Sequence, residues 1–560
     1  MTRLFAIFIC MLLTSPVFAA KPSGLSKPQA QPELYRLKNP VQQVQELLKS
    51  QGFYQGKTDG LMGADLKQAI RLYQKKHGLK QTGKISDDLI KHMANIGRVQ
   101  ALIKKLDPIR TNRQQQARQA LLSDPRTRQL LDQKEKETAD PTRDASTCFQ
   151  APTARCLIHE AVESSRAVFE DDMRDWALGE ILAAQVRVGL ENDAMKTAAR
   201  IKDSRLVIAA LTTIAKTHVR EGQLEEARSA LSLIPVMERR LSVLLDIASY
   251  YQSRNQTKLL RHTVTKILAG AQSLDHIENS LTIQIQAIEL LALIDKKRAL
   301  EMLDKMTLQA EASAKNGSKF TLIRQIANAM AHIGYPEWAL KTIGKMPDDE
   351  TRIPILMAAA RAFLKAKRFK AAHNTIERIS SKRYRSVILS DMAQALWQHQ
   401  QNGKAFDILD EALIIAKATP LPFARNFALS HVAQSYMIIA KETQKQAHGD
   451  LAYHTLSLIS DERIKARGLW NLAYAASHQQ LKLSTQNLDK NAHQTLNNIK
   501  SKFSRAWLIG DLVALHQNSG DHKQARKAFE IGMATIKTLT NPWARSRVLA
   551  KFGALAHRLD

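Results

Sequence analysis

The only residues that approach a known catalytic signature lie at positions 159 to 163. His159-Glu160 begins like the His-Glu-x-x-His signature of zinc peptidases, but Glu163 stands where the second histidine is required. The chain has no Ser-x-x-Lys and no Gly-x-Ser-x-Gly, which are the nucleophile signatures of two hydrolase classes. Its 17 histidines are scattered and show no metal-ligand spacing. The sequence therefore predicts neither a catalytic residue, nor a metal site, nor a cofactor.

Two cysteines, Cys148 and Cys156, lie close together in "CFQAPTARC". A lone close pair in an exported chain predicts a disulfide. The alternative is a redox-active pair, although the spacing is not Cys-x-x-Cys and no thioredoxin-like pattern surrounds it. A zinc site would need further ligands nearby, and the sequence offers none.

The first 19 residues predict export. Arg3 precedes an apolar run, and Pro16 precedes the small-residue ending Val17-Phe18-Ala19. This is the layout of a secretory signal peptide, cleaved after Ala19, and the run is too short to span a bilayer as a helix. Residues 20–37 are rich in Pro, Ser and Gln and are predicted to be a flexible leader. We expect no transmembrane segment in the mature chain.

The chain of 560 residues carries a formal net charge of +29. Such an excess favours a polyanionic partner: nucleic acid, an acidic membrane surface or an anionic cell-wall polymer. Export removes nucleic acid from this set, because an exported protein does not meet it in the cytoplasm. The expected location is the periplasm or the cell wall of a bacterium.

From residue 148 to residue 560 the sequence is helix-patterned and repetitive. Each repeat has a basic residue, apolar residues three, four and seven positions later, a small residue at eight and an alanine twelve further on, as in "RSVILSDMA" from Arg385. The period is about 31 to 42 residues. A last copy, "RSRVLAKFG" from Arg545, is cut short by the chain end. The spacing of small residues resembles the tetratricopeptide repeat, which implies a long α-solenoid of helix pairs, roughly ten of them, that stack on their neighbours.

The recurrent basic residue has two interpretations. It bonds the carbonyl groups that end the previous helix, or pairs with an acid of the neighbouring unit. Alternatively, it forms a basic ladder that faces an anionic polymer or an acidic partner. The members of this set are Arg174, Arg240, Lys319, Arg352, Arg385, Arg425, Lys465, Arg505 and Arg545.

Residues 38–97 form a separate pattern of helix, loop, helix, turn and helix. Apolar stripes at helical spacing and the loop "YQGKTDGLMG" organise it. The segment resembles the small peptidoglycan-binding domain appended to many cell-wall enzymes. The matching residues are Val41, Gln45, Leu48, Gly52-Phe53-Tyr54, Asp59-Gly60, Gly63, Ala69, Tyr73-Gln74, Gly78-Leu79 and Gly83. The chain departs from the family at Met62, usually an aromatic, and at Leu66, usually a Thr that caps the second helix.

The resemblance implies peptidoglycan as the ligand, with two roles open for the motif residues. They serve turn geometry alone, or they line a groove beside the Asp-Gly loop. Because Leu66 replaces the capping Thr, we expect Asp65 to cap the second helix. The candidate binding residues are Tyr54, Asp59, Gly60, Arg71, Tyr73, Gln74 and Lys75.

Residues 98–147 are polar and are predicted to be a partly helical linker, so the whole chain is predicted to be all-α. We expect a non-enzymatic scaffold that holds the wall through residues 38–97 and recruits another envelope protein through the solenoid. One alternative is a targeting or regulatory subunit of a separate cell-wall hydrolase or synthase. A second is a cell-wall hydrolase with an unrecognised site.

Overall fold

The computed structural model describes residues 39–132, 138–140, 142–313, 316–478, 481 and 488–559. The predicted signal peptide (1–19) and leader (20–37) lie outside these residues. Within them the chain is helical and contains no strand, which confirms the all-α prediction. The chain divides into two compact units, Met1–Ala117 and Arg118–Asp560.

Three helices build the N-terminal fold: α1 (Pro40–Ser50), α2 (Ala64–Lys76) and α3 (Asp87–Leu122). The predicted domain boundary at residue 97 falls inside α3, so much of the predicted linker continues this helix. One core joins the three helices, and it consists of Val44, Leu48, Leu66, Ala69, Ile70, Tyr73, Leu89 and Met93.

The first two helices begin and end by identifiable signals. The Asn39 side chain accepts a hydrogen bond from the Val41 amide at 2.9 Å, and Pro40 fits the first helical position. After α1, left-handed Gly52 lets the Phe53 amide bond the Leu48 carbonyl at 2.9 Å. The same arrangement ends α2, where Gly78 precedes the bond from the Leu79 amide to the Gln74 carbonyl. Each helix is therefore stopped by a glycine and an apolar residue.

The second unit is an array of helix pairs, as the repeats predicted. Three helices precede the first complete pair: α4 (Pro125–Asp132), α5 (Ser146–Gln150) and α6 (Ala154–Arg166). The first helices of the pairs are α7 (Asp171–Arg187), α9 (Ser204–Arg220), α11 (Met237–Ser253), α13 (Ile277–Leu291), α15 (Asn316–His332), α17 (Asp349–Lys365), α19 (Lys382–Gln398), α21 (Pro422–Thr443), α23 (Glu462–His478), α25 (Lys502–Asn518) and α27 (Pro542–Ala556).

Each of the first ten is followed in the chain by a second helix that packs on it. These second helices are α8 (Glu191–Ala199), α10 (Leu224–Ser232), α12 (Thr257–Gln272), α14 (Lys296–Ser313), α16 (Pro336–Lys341), α18 (Phe369–Glu377), α20 (Asn402–Lys417), α22 (Gln446–Ser457), α24 (Leu488–Asn498) and α26 (His522–Lys537).

The small residues of the repeat lie where the two helices of a pair approach each other. Ala360 and Ala372, and likewise Ala393 and Ala405, have no exposed surface. An alanine at both positions allows close helix approach because it adds only one methyl group to each surface. From α13 to α24 the buried apolar residues of successive pairs join into one core, as expected for stacked repeats.

The array closes on itself. Among the described residues no helix follows α27 in the chain, and α27 packs against α6, which precedes the first pair, and against α7. Gly553 of α27 lies so close to Ile158 of α6 that an added Cβ would meet its side chain at 2.5 Å. The truncated last repeat is therefore completed by a helix from the other end of the unit, and the eleven pairs in the described residues form a ring.

Beside this junction, Cys148 and Cys156 are joined by a disulfide, as predicted, with their Cα atoms 5.7 Å apart. The bond connects α5 to the first turn of α6. It therefore fixes the short segment through which the chain enters the ring.

Candidate functional site

The Asp-Gly loop between α1 and α2 is organised by a buried glutamine. The Gln45 side chain, fully buried on α1, donates to Asp59 Oδ1 at 2.9 Å and to the Leu61 carbonyl at 3.0 Å. Its Oε1 accepts from the Gly60 amide at 2.8 Å. Asp59 Oδ1 also accepts from the Leu61 amide, and these bonds lower the pKa of Asp59. The Asp59 carboxylate is thus engaged by the loop itself.

Gly60 needs its glycine for two reasons. Its φ is +76°, in the left-handed region, and an added Cβ would lie 3.0 Å from Asn39 Nδ2. Asn39 Nδ2 also donates to the Gly60 carbonyl at 3.1 Å. The residue that caps α1 therefore also holds the loop.

The loop after α2 repeats this arrangement. Gln74, which is 4% exposed, donates to Thr82 Oγ1 at 3.0 Å and accepts from the Gly83 amide at 3.0 Å. Gly83 is left-handed, with φ +65°. An added Cβ there would meet Arg71 Nε at 2.8 Å, so the Arg71 side chain lies across this loop. One buried glutamine therefore shapes each of the two loops.

The two tyrosines predicted to bind the ligand, Tyr54 and Tyr73, do not form the wall of an open groove. The Tyr73 side chain is fully buried, and its hydroxyl bonds His92 Nδ1 at 2.8 Å. Its ring packs against Phe53 and His77, at centroid distances of 5.2 and 4.3 Å. Because it has no exposed surface, Tyr73 supports the core and cannot contact a ligand directly. Half-buried Tyr54 folds over Gly56 and donates to the Lys57 carbonyl at 3.1 Å.

The expected cap at Asp65 is not formed. Gly63 is the N-cap residue of α2 and makes no side-chain cap bond, while Asp65 lies in the first turn, where its charge suits the helix dipole. Leu66 is fully buried in the core. A leucine at this position contributes apolar burial to the three-helix core, which a threonine would do less well.

The exposed residues include apolar side chains that were not among the predicted binding residues. Leu61 and Met62, directly after Asp59-Gly60, are 70% and 37% exposed, and Leu72 of α2 is 50% exposed. The predicted residues Arg71 and Lys75 are exposed on α2. The exposure of Met62 could have been predicted from the family that residues 38–97 resemble, because that family usually has an aromatic residue at this position of the loop. The domain thus presents apolar and cationic groups on the Asp-Gly loop and on α2.

The recurrent bases of the ring occupy the first turns of first helices, and four of them bond backbone carbonyls of the preceding helix end. Arg385 donates to the carbonyls of Ile379 and Glu377 at 2.9 and 2.8 Å. Arg174, Arg352 and Lys465 make the equivalent bond to the carbonyls of Val168, Met346 and Ser457.

The other five bases are placed in different ways. Arg240 contacts the Met237 sulfur at 3.8 Å, and the Arg545 guanidinium lies 5.4 Å from the Phe149 ring centroid. Lys319, Arg425 and Arg505 are half-buried. The nine bases therefore do not form one uniform surface.

In the part of the chain that the structure describes, no group of three or more His, Cys, Asp or Glu side chains is arranged to hold a metal ion. None of the helices there combines the length and the apolar character needed to cross a bilayer.

Comparison with known proteins identifies the N-terminal segment. Residues 38–93 match the family model of the peptidoglycan binding domain. No curated protein sequence matches the chain. The match therefore places a peptidoglycan-binding domain at the N-terminal three-helix fold.

Two solved structures are similar to the chain at a low level. The crystal structure of Ton1535 from Thermococcus onnurineus NA1 is 14% identical, covers 61% of this chain and 99% of its own, and has a TM-score of 0.28. A circular tandem repeat protein with novel repeat topology and enhanced subunit contact surfaces is 12% identical, covers 93% and 95%, and has a TM-score of 0.12. Neither likeness is close enough to carry an argument.

Proposed function

We propose that this is an exported, non-enzymatic envelope protein that holds peptidoglycan through its N-terminal domain and presents its helical ring to another envelope protein. The observation that carries the proposal is the family match over residues 38–93, on a fold whose two loops are built by Gln45 and Gln74. The signal-peptide pattern and the net charge of +29 support it, because the wall polymer is anionic.

The ligand contacts come from exposed groups on the ordered loops and on α2. Peptidoglycan offers sugar rings, peptide amides and free carboxylates. Leu61 and Met62 supply apolar contact, and Arg71 and Lys75 supply charge-assisted hydrogen bonds to carboxylates. Asp59, Gly60 and Gln74 act by holding the loops. A single domain of this size binds weakly, and the repeating polymer adds avidity.

The ring suits a scaffold because every pair has a neighbour on both sides. An open repeat array has two end units that must be capped, whereas closure removes both ends. The surface offered to a partner is therefore fixed. As the partner we propose another protein of the envelope.

In one alternative, the ring targets or regulates a separate hydrolase or synthase. The identity of the protein that binds the ring distinguishes this alternative from the scaffold proposal. Residues 118–560, immobilised and exposed to an envelope extract, should retain one protein that is not a wall enzyme. Recovery of a wall hydrolase or synthase supports the regulatory alternative. Zymography of the pure protein tests the second alternative, since a clearing zone would show hydrolase activity and end the non-enzymatic proposal.

A further inference from the structure

A surface depression of about 490 Å³, open to solvent, lies at the junction where the ring closes. One wall is the segment that enters the ring, including α5, and the opposite wall is the end of α26 and the start of α27. The lining includes Arg143, Ser146, Phe149, Gln150, Lys537 and Arg545. We call this space the junction cavity.

Three cations line the junction cavity, and two of them have no acidic partner. Arg143 is paired with Glu160 and Glu163. No carboxylate in the described residues pairs with Lys537 or Arg545. The Arg545 Nε is buried and has no hydrogen-bond partner. The same Nε atom is buried and unbonded in Arg174, Arg240, Arg352 and Arg505, so it does not distinguish this site. The half-buried Arg545 guanidinium and the exposed Lys537 ammonium, which line the same space, supply the charge that suits an anionic ligand.

The acid on the rim does not neutralise these cations. Both oxygens of Asp144 are engaged by Ser146, one with its amide at 2.8 Å and the other with its hydroxyl at 2.7 Å. These two bonds hold the pKa of Asp144 below its ordinary value. The carboxylate therefore ends the turn before α5, and the side of the cavity formed by Lys537 and Arg545 stays positive.

The wall of the cavity is fixed in place. Phe149 and Gln150 lie inside the loop closed by the Cys148–Cys156 disulfide, and the pairing of Arg143 with Glu160 ties the same segment to α6. The Phe149 ring also lies against the Arg545 guanidinium. A site that is ordered before binding loses less conformational entropy when the ligand arrives.

We infer that the junction cavity binds the free carboxylate of a peptide. Lys537 and Arg545 hold the carboxylate, the Gln150 side chain meets a neighbouring peptide amide, and the Phe149 ring contacts an aliphatic side chain. A bare phosphate would leave the amide and the aromatic wall without a role. The identification of the peptide as a peptidoglycan stem rests on the proposed function.

The test uses the full-length protein and a soluble stem peptide that ends in D-alanine. Isothermal titration calorimetry compares the free acid, the same peptide amidated at its C-terminus, and inorganic phosphate. The free acid should bind at least tenfold more tightly than the amide and the phosphate. Lys537→Gln and Arg545→Gln should each weaken its binding at least tenfold, whereas Lys523→Gln, an exposed lysine on the same helix, should leave it unchanged.

Equal binding of acid and amide, or unchanged binding by Lys537→Gln and Arg545→Gln, overturns the inference. Phosphate binding that is tighter than peptide binding and is lost in the same variants also overturns it, because the ligand is then a phosphorylated compound. Sedimentation of the same variants with insoluble peptidoglycan keeps the two proposals apart. If the peptide result fails while the protein still sediments through its N-terminal domain, only the junction cavity is refuted.

Discussion

Arg547 on the last helix of the ring forms a two-bond ion pair with Glu180 on α7, although the two residues are 367 positions apart. Its Nε and one terminal nitrogen lie 2.8 and 2.7 Å from the two carboxylate oxygens. The rings of Trp176, Phe503 and Trp543 surround the guanidinium at 4.7, 5.1 and 4.4 Å. Arg547 therefore joins the two ends of the array.

The first prediction concerns this pair. Arg547→Leu leaves Glu180 without its cation beside aromatic rings, and we expect a loss of about 3 kcal/mol at the junction. Hydrogen exchange should rise in α6, α7 and α27 and stay unchanged in α15 and α17 on other parts of the ring. Thermal unfolding should begin at a lower temperature.

The double variant Glu180→Leu/Arg547→Leu is the matched control. It removes the unpaired charge, so it should exchange more slowly at the junction than Arg547→Leu alone. If Arg547→Leu leaves the exchange of α6 and α27 unchanged, the ion pair does not stabilise the closure.

The sequence was sufficient to predict the helix pairs but not the ring. Each copy of the repeat, such as the one that starts at Arg545, is a local pattern that indicates which face of a helix is buried. Closure depends on the rotation between successive pairs, which accumulates over the whole array and leaves no pattern in any one repeat.

The second prediction concerns the glutamine of the Asp-Gly loop. Gln45→Leu keeps the volume of the side chain but removes three hydrogen bonds, and it should destabilise the N-terminal domain by about 1–3 kcal/mol. Circular dichroism of residues 38–122 during heating measures the loss. Gln43→Leu, on the same helix and half-buried, is the control and should change stability by less than about 0.5 kcal/mol. Equal effects of the two substitutions would refute the role of Gln45.

The third prediction uses two neighbouring glycines. Gly60→Ala places a Cβ on a left-handed residue beside Asn39 and should cost about 1–2 kcal/mol. Gly63 has ordinary backbone geometry and open space at its Cβ position. It is the N-cap of α2, where alanine is less favourable than glycine, so Gly63→Ala should cost about 0.5 kcal/mol, less than Gly60→Ala. Urea unfolding of residues 38–122 compares the two variants. A Gly63→Ala variant as unstable as Gly60→Ala would contradict the loop geometry.

The fourth prediction concerns pH. Burial, with the charges of His92 and Lys76, holds the pKa of His77 below its ordinary value of about 6.5. The unfolded chain therefore takes up a proton at a higher pH than the folded domain. Stability is complete above the unfolded pKa and falls as the pH drops from there toward the folded pKa.

The measurement is the unfolding temperature of residues 38–122 at pH 7.5 and pH 5.0. The wild-type domain should be less stable at the lower pH, and His77→Gln should reduce the difference. An unfolding temperature that rises toward pH 5.0 would contradict the assigned direction.

The sequence was sufficient to predict where the loops of the candidate site lie, but not which of its side chains are buried or exposed. Asp59-Gly60 and Gly83 mark turns in the sequence because their conformations favour particular residues. The burial of Tyr73 was not predictable, since a tyrosine on an apolar stripe can end in the core or at its edge. The exposure of Leu61 was missed because an apolar residue in a polar loop has no periodic neighbours to indicate its direction.

The most direct test of the central claim is sedimentation of the intact protein with purified, insoluble peptidoglycan at low salt. The full chain should pellet with the polymer, residues 38–122 alone should also pellet, and Arg71→Gln/Lys75→Gln should pellet less than a Lys91→Gln control. Peptidoglycan binding by the N-terminal domain is contradicted if residues 38–122 stay in the supernatant while the polymer is in excess.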